Sequence, residues 1–147
     1  MAVWSLLESA LARSAARIAV VDGPRKLSWR EVHRRASALA RCLESKQIGK
    51  GDRVALLAWN GLEFLETTFA VAGIGAVLVP LNARLATREI EEIVRRAGAR
   101  MLVADPALTK PSAGVLHFGD PYEAALERHT GTSPAAEVSE DALAHLY

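Results

Sequence analysis

Between residues 53 and 105 the spacing of apolar positions alternates between two patterns. R-V-A-L-L-A-W-N is a short apolar run, G-L-E-F-L-E-T-T-F-A-V-A-G-I-G-A a long one, and V-L-V-P-L-N is short again. A-R-L-A-T-R-E-I-E-E-I-V-R-R-A-G-A then carries a 3.6-residue period, and R-M-L-V-A-D closes the stretch. In order this is strand, helix, strand, helix, strand: two βαβ crossovers in tandem. Continuous apolar runs suit strands of a parallel sheet whose faces are both covered. Right-handed crossovers are expected to set both helices on the same face of that sheet. A ligand is expected at the carboxyl ends of the strands, where Asn60, Asn82 and Asp105 stand.

Upstream, residues 4–16 predict an amphipathic helix with Trp4, Leu7, Leu11 and Ala15 on one stripe. Residues 17–21 and 25–29 predict two short strands around the turn tripeptide Asp22-Gly23-Pro24. Ser28 and Glu31 are spaced as a capping box, with Leu27 and Val32 at the staple positions. The helix they open carries Val32, Ala36, Leu39, Ala40 and Leu43 on one face and ends near Gln47. The fold class is therefore α/β. Tandem right-handed βαβ units form part of an open, mostly parallel sheet, preceded by a helix, a short β-hairpin and a capped helix.

The two crossover helices differ in character. The first should be capped by Asn60, with Glu63 at the box position, and is apolar nearly all round. Such a helix is expected to be buried on more than one side, by a compact arrangement or by a covering layer from a larger protein. The second has a narrow stripe of Ile90, Ile93, Val94 and Ala97, a cap at Thr87 and a stop at Gly98. Its Glu91–Arg95 and Glu92–Arg96 spacings predict salt bridges on a solvated face. Past Asp105-Pro106, residues 115–118 predict a fourth strand and residues 121–128 a short helix starting at Asp120. Residues 129–141 are rich in Gly, Thr, Ser, Pro and acids, as a linker is. A-L-A-H-L-Y then turns apolar.

Composition narrows the function classes. With 18 basic and 17 acidic residues spread along 147 positions, the chain has no basic block for nucleic acid. The single cysteine, Cys42, suits a reducing compartment and reads as a core-edge residue. Residues 67–83, the longest uncharged run, fall short of a bilayer span and contain Gly73, Gly75, Pro80 and Asn82. The N-terminus lacks the basic start of a signal peptide. The expected location is cytoplasmic, with no transmembrane segment.

Candidate chemistry is sparse. Gly49-Lys50-Gly51 lies between a helix and a strand, the reverse of a phosphate loop, and reads as a helix stop plus a turn. Gly73-Ile74-Gly75 closes a helix instead of opening one, so it is no dinucleotide fingerprint; the pair should let the helix approach the next strand. His33, His117, His129 and His145 have no metal-ligand spacing. His33 reads as a surface residue and His117 as a satisfied structural one. No nucleophile elbow is present, and the carboxylates show no pairing beyond helix-surface salt bridges. No catalytic or metal residue is assigned.

The order of pieces resembles the N-terminal part of adenylate-forming acid–CoA ligases, the acyl-CoA synthetase and AMP-binding superfamily. L-S-W-R-E-V, G-K-G-D-R-V-A-L-L, N-G-L-E-F-L, A-G-I-G-A-V-L-V-P-L-N-A-R-L and the R-E-I-E-E-I-V helix carry the resemblance. It implies that residues 1–128 are an incomplete N-terminal subdomain, and that residues 129–147 are a linker leading toward a phosphate loop beyond the chain. The implied partners are the remainder of the parent chain, with its ATP-binding and C-terminal domains, and a carboxylic acid substrate. ATP, Mg²⁺ and coenzyme A serve the full-length parent; this chain alone is expected to bind none of them and to be inactive. One residue carries over: Arg84 of N-A-R-L matches an arginine that approaches coenzyme A phosphate in some of these ligases. A guanidinium fork suits phosphate. Asn60 and Asn82 read as caps and turns, and residues 106–114 look shorter than the family usually has.

Two other readings stay open: an adenylation domain loading a carrier protein, and a free-standing, non-catalytic α/β binding module. The all-round apolar helix favours a missing covering layer, and with it self-association through exposed apolar surface.

Overall fold

A computed structural model describes residues 3–110, 112 and 114–131. The chain runs α1 (Val3–Ser14), β1 (Ile18–Asp22), β2 (Arg25–Ser28), α2 (Trp29–Ser45), β3 (Arg53–Leu57) and α3 (Leu62–Gly73). It continues with β4 (Val77–Leu81), α4 (Thr87–Ala97), β5 (Ala99–Ala104), β6 (Val115–His117) and α5 (Asp120–Arg128). β1 and β2 pair as an antiparallel hairpin. The other four strands form a parallel sheet in the order β4-β3-β5-β6. The final apolar segment predicted from the sequence, and the linker from residue 132 onward, lie outside the described residues.

The strand order overturns one expectation. From β3 the chain steps sideways to β4, then returns across β3 to reach β5 and β6. Two crossovers of one hand that travel in opposite directions place their helices on opposite faces, not the same one. The packing agrees. Val54, Leu56, Leu78 and Val103 meet Leu43, Val71 and Tyr122 from α2, α3 and α5. Ala55, Leu57, Val79, Leu81 and Leu102, alternate residues of the same strands, meet Ile90 of α4.

The apolar circumference of α3 is covered within the chain itself. One side faces the sheet through Ala70 and Val71. The other meets α1 and α2, where Phe69 packs with Trp4, Leu7, Val32 and Ala36. No outside layer is needed to bury this helix, so its apolarity does not favour a missing one. Gly73 permits the closest approach, but to α1 and not to the next strand: a Cβ there would stand 2.7 Å from Trp4 Cε3.

Helix starts show where local signals hold and where they fail. At α2 the capping box forms as its spacing predicts, with Glu31 N donating to Ser28 Oγ at 3.2 Å and Ser28 N to Glu31 Oε2 at 2.7 Å. Leu27 and Val32 meet in one apolar cluster. At α3 the N-cap is Gly61 and not Asn60, and no side chain of the cap residue bonds the first turn. Asp22, 40 residues earlier, accepts the Leu62 amide at 3.0 Å. Arg25 holds that carboxylate at 2.6 Å and reaches Glu63 at 2.5 Å, fastening the hairpin to the start of α3. At α4 the N-cap is Ala86, with Thr87 already helical; Glu89 supplies the reciprocal bond by accepting from Ala86 N at 2.8 Å. Gly98 closes α4 at φ 63°, the left-handed stop expected of it. On the solvent side Glu92 takes both Arg95 and Arg96, leaving the expected Glu91–Arg95 pair unformed.

The Leu62 amide, with Arg25 beside it, holds the Asp22 carboxyl below its ordinary range. A depressed carboxylate stabilises the fold above its unfolded pKa, and that contribution is lost as pH falls through the folded value. Asp22→Ala should therefore lower stability by about 1 kcal/mol at neutral pH, as loss of a helix cap does. In thermal melts the gap between the two proteins should close below roughly pH 4. A gap independent of pH would show that the carboxylate is not the cap.

Candidate functional site

All four sheet strands point the same way, so their carboxyl ends form one edge. The direction of travel reverses between β3 and β5, and a crevice opens at such a switch point in open α/β sheets. Trp59 and Asn60 follow β3, Asn82 to Arg84 follow β4, Asp105 follows β5 and His117 ends β6. The three predicted positions Asn60, Asn82 and Asp105 thus share an edge.

Two of them shape the backbone there. Asn82 Oδ1 accepts the Arg84 amide at 2.9 Å, a side-chain turn that fixes the chain as it leaves β4. Asp105 Oδ1 accepts the Ala107 amide at 2.8 Å, and Asp105 N donates to Leu57 O at 2.9 Å. Residues 105–110 form turns and a bend with no helix, as the shortness of this connection suggested. Arg84 is exposed, beyond the edge strand β4, and Asn60 is exposed without capping α3.

His117 differs from its sequence reading. It is buried, at 7% exposure, and its Nε2 has no hydrogen-bond partner among the described residues. His33, read as a surface residue, is half-buried against Trp4 with ring centroids 5.4 Å apart, and burial lowers its pKa. Cys42 is buried in the core, and that burial pushes its thiol pKa up.

The polar centre of the molecule was not legible in the sequence at all. Glu66, on the sheet-facing helix α3, is fully buried. Arg35 of α2 donates to its two oxygens at 2.5 and 3.1 Å, and Tyr122 of α5 donates its hydroxyl to Oε1 at 3.1 Å. The same guanidinium reaches Glu123 of α5 at 2.7 and 2.8 Å. One arginine thus forks onto two carboxylates and ties three helices together. Burial raises the Glu66 pKa even though Arg35 opposes it, whereas the Arg35 bonds lower that of the more exposed Glu123. This network joins α2 to the N-terminal parts of α3 and α5.

Among the described residues, one cavity lies against α4 and another borders the Arg35–Glu123 network. The first, about 320 Å³, runs between Ile90 and Val94 of α4 and the Leu102, Leu108 and Val115 floor. The other, about 280 Å³, is a polar cleft between α2 and α5 bordered by Arg34, Arg35, Glu123 and Glu127. Neither is bordered by Asn60, Asn82, Arg84 or Asp105. Among the described residues, no three His, Cys, Asp or Glu side chains are grouped to hold a metal ion. Nor is any described helix long and apolar enough to cross a membrane.

The sheet with helices on both faces and a switch point between β3 and β5 defines an open α/β scaffold whose business edge is the carboxyl one. Residues 7–145 match the sequence profile of the AMP-binding enzymes, and the chain belongs to that family. It is 37% identical over 110 residues to a long-chain-fatty-acid–CoA ligase of Thermus thermophilus, covering 72% of this chain and 20% of that one. In fold it is similar to the N-terminal domain of FACL13 from Mycobacterium tuberculosis (TM-score 0.87, 25% identity), over 99% of this chain and 41% of that one. It is likewise similar to NpsA-ThdA, an artificially fused adenylation–PCP di-domain from Klebsiella oxytoca (TM-score 0.81, 31% identity), over 98% of this chain and 27% of that one. The chain therefore spans about 20% of the length of the curated ligase it matches.

Proposed function

We propose that this chain is the N-terminal segment of an ATP-dependent, AMP-forming acid–CoA ligase, working in the cytoplasm. The observation that carries the reading is the family match over residues 7–145 in a chain whose alignment covers 20% of the related ligase. In the parent, the acid's carboxylate attacks the α-phosphate of ATP, forming an acyl-adenylate and releasing pyrophosphate. The thiol of coenzyme A then takes the acyl group and AMP leaves. Both steps place negative charge on phosphate oxygens, which calls for aimed backbone donors, a lysine and Mg²⁺.

Lys50 sits in a helix-to-strand turn, and the described residues hold no carboxylate cluster for a metal. Residues 1–128 act as scaffold and 129–147 lead onward to the phosphate loop. The isolated chain should accordingly give only background acid-dependent pyrophosphate–ATP exchange. Exchange above background by the pure 147-residue protein would overturn this reading.

Arg84 is the one position of the chain assigned to a cofactor. The Asn82 turn presents its backbone past the end of β4, and its exposed guanidinium suits a phosphate of coenzyme A. In the ligase polypeptide that carries this segment, Arg84→Ala should raise KM for coenzyme A about tenfold and leave the adenylation half-reaction unchanged. Equal losses in both half-reactions would reassign Arg84 to the scaffold. The similarity to NpsA-ThdA supports a second reading, an adenylation domain that loads a carrier protein. Transfer of the acyl group to a carrier-protein thiol, with coenzyme A inert, would select it.

A further inference from the structure

β1 contains a bulge. Its register pairs Ile18 with Ser28 but Val20 with Leu27, so β1 advances two residues while β2 advances one. Ala19 and Val20 both turn inward as a result, against the cluster of Trp4, Leu7, Val32 and Phe69. Ile18 and Val21, three residues apart, would point to opposite faces of an unbroken strand. Here both lie outside, at 55% and 64% exposure.

The next residue, Asp22, accepts the Leu62 amide, so the end of β1 abuts the loop that leads into α3. That loop carries Trp59, which is 54% exposed. Of the four large apolar side chains exposed among the described residues, three therefore belong to β1 and the loop it touches; the fourth, Leu6, is on α1. A single exposed apolar residue needs no explanation, but a grouping of β-branched and aromatic side chains on neighbouring segments marks a surface that something covers.

We infer that the outer face of β1 together with Trp59 is the seat for the remainder of the ligase polypeptide, which lays an apolar surface over it. This rests on reading the chain as part of a longer ligase. The fold matches 98–99% of this chain but only 27% and 41% of the two structures described above, so those proteins carry chain beyond this fold. The bulge serves this contact. It lets one short strand feed the inner cluster with two residues in a row and still present two to the covering layer.

Single cysteines test it. Val21→Cys and Trp59→Cys replace exposed side chains, Arg88→Cys on exposed α4 is the control, and native Cys42 is 3% exposed and gives little background. In the 147-residue chain all three thiols should react rapidly and at rates independent of protein concentration. In the longer ligase polypeptide, labelling at positions 21 and 59 should slow at least about tenfold, with Arg88→Cys unchanged. Undiminished labelling at 21 and 59 in the longer protein overturns the inference. So does concentration-dependent protection in the short chain, which would make a second copy the occupant. Acid-dependent pyrophosphate exchange by the longer protein is scored separately. Protected thiols in a protein without exchange would sink the ligase reading and leave the covered surface standing.

Discussion

Arg35→Met should destabilise the fold by about 3–5 kcal/mol, the range for removing one partner of a buried ion pair. The reason is what the substitution leaves behind. Glu66 has no exposure of its own, and its carboxylate depends on the guanidinium at 2.5 and 3.1 Å together with the Tyr122 hydroxyl. Without Arg35, the charge stays buried with a single neutral donor. Urea denaturation of both proteins would read the loss as a lower midpoint.

The pH dependence of that loss follows from the direction of the Glu66 shift. Burial already raises its pKa in the intact network, and removing Arg35 takes away the main opposing influence. A carboxyl whose folded pKa is raised favours the fold when protonated, and that help disappears as pH rises through the folded value. The Arg35→Met deficit should therefore be smaller in mild acid and grow toward neutrality. Arg35→Met combined with Glu66→Leu should recover most of the stability, because an apolar pair of similar volume leaves no buried charge. Glu123 is 47% exposed, and Glu123→Ala should change stability by only about 0–1 kcal/mol. A deficit that is flat across pH, or that persists in the double variant, would locate the loss in the packing of the arginine stem instead.

This network also marks the boundary of what the sequence could reveal. Periodicity located the sheet strands because each must be apolar on both faces, and it located the Ser28–Glu31 box because its partners are three residues apart. Asp22 capping α3, Arg25 bracing it and Arg35 joining α2 to α5 are contacts across 40, 38 and 88 residues. Local spacing holds no record of these. Glu66 drew no assignment from the sequence, since nothing nearby in the chain announces its arginine. The placement of α4 failed for a related reason: each crossover was read correctly, but the side of β3 on which β5 would pair is a property of the sheet. As for the site, Asn82 shapes its strand-end turn as read from the sequence, Asp105 does the same unannounced, and Asn60 yields its cap to the more distant Asp22.

Gly73→Ala should lower stability by about 1–3 kcal/mol, the reverse of the usual effect of alanine for glycine in a helix. An alanine there would ordinarily gain about 0.5–1 kcal/mol by restricting the unfolded chain. Its methyl group would instead stand 2.7, 3.0 and 3.1 Å from three ring atoms of Trp4, inside van der Waals contact. The ring has little room to withdraw, because it is 8% exposed and packs with Leu7, Val32, Ala36 and Phe69. Relief requires α1 to shift outward, which loosens the layer that covers α3. Trimming the ring in the Gly73→Ala, Trp4→Leu double variant should make the two substitutions less damaging together than the sum of each alone, by about 0.5–3 kcal/mol. Additive losses, or a Gly73→Ala protein that melts higher than the parent, would mean that α1 does not press on α3 as described. In that case the apolar flank of α3 would again want a cover from elsewhere.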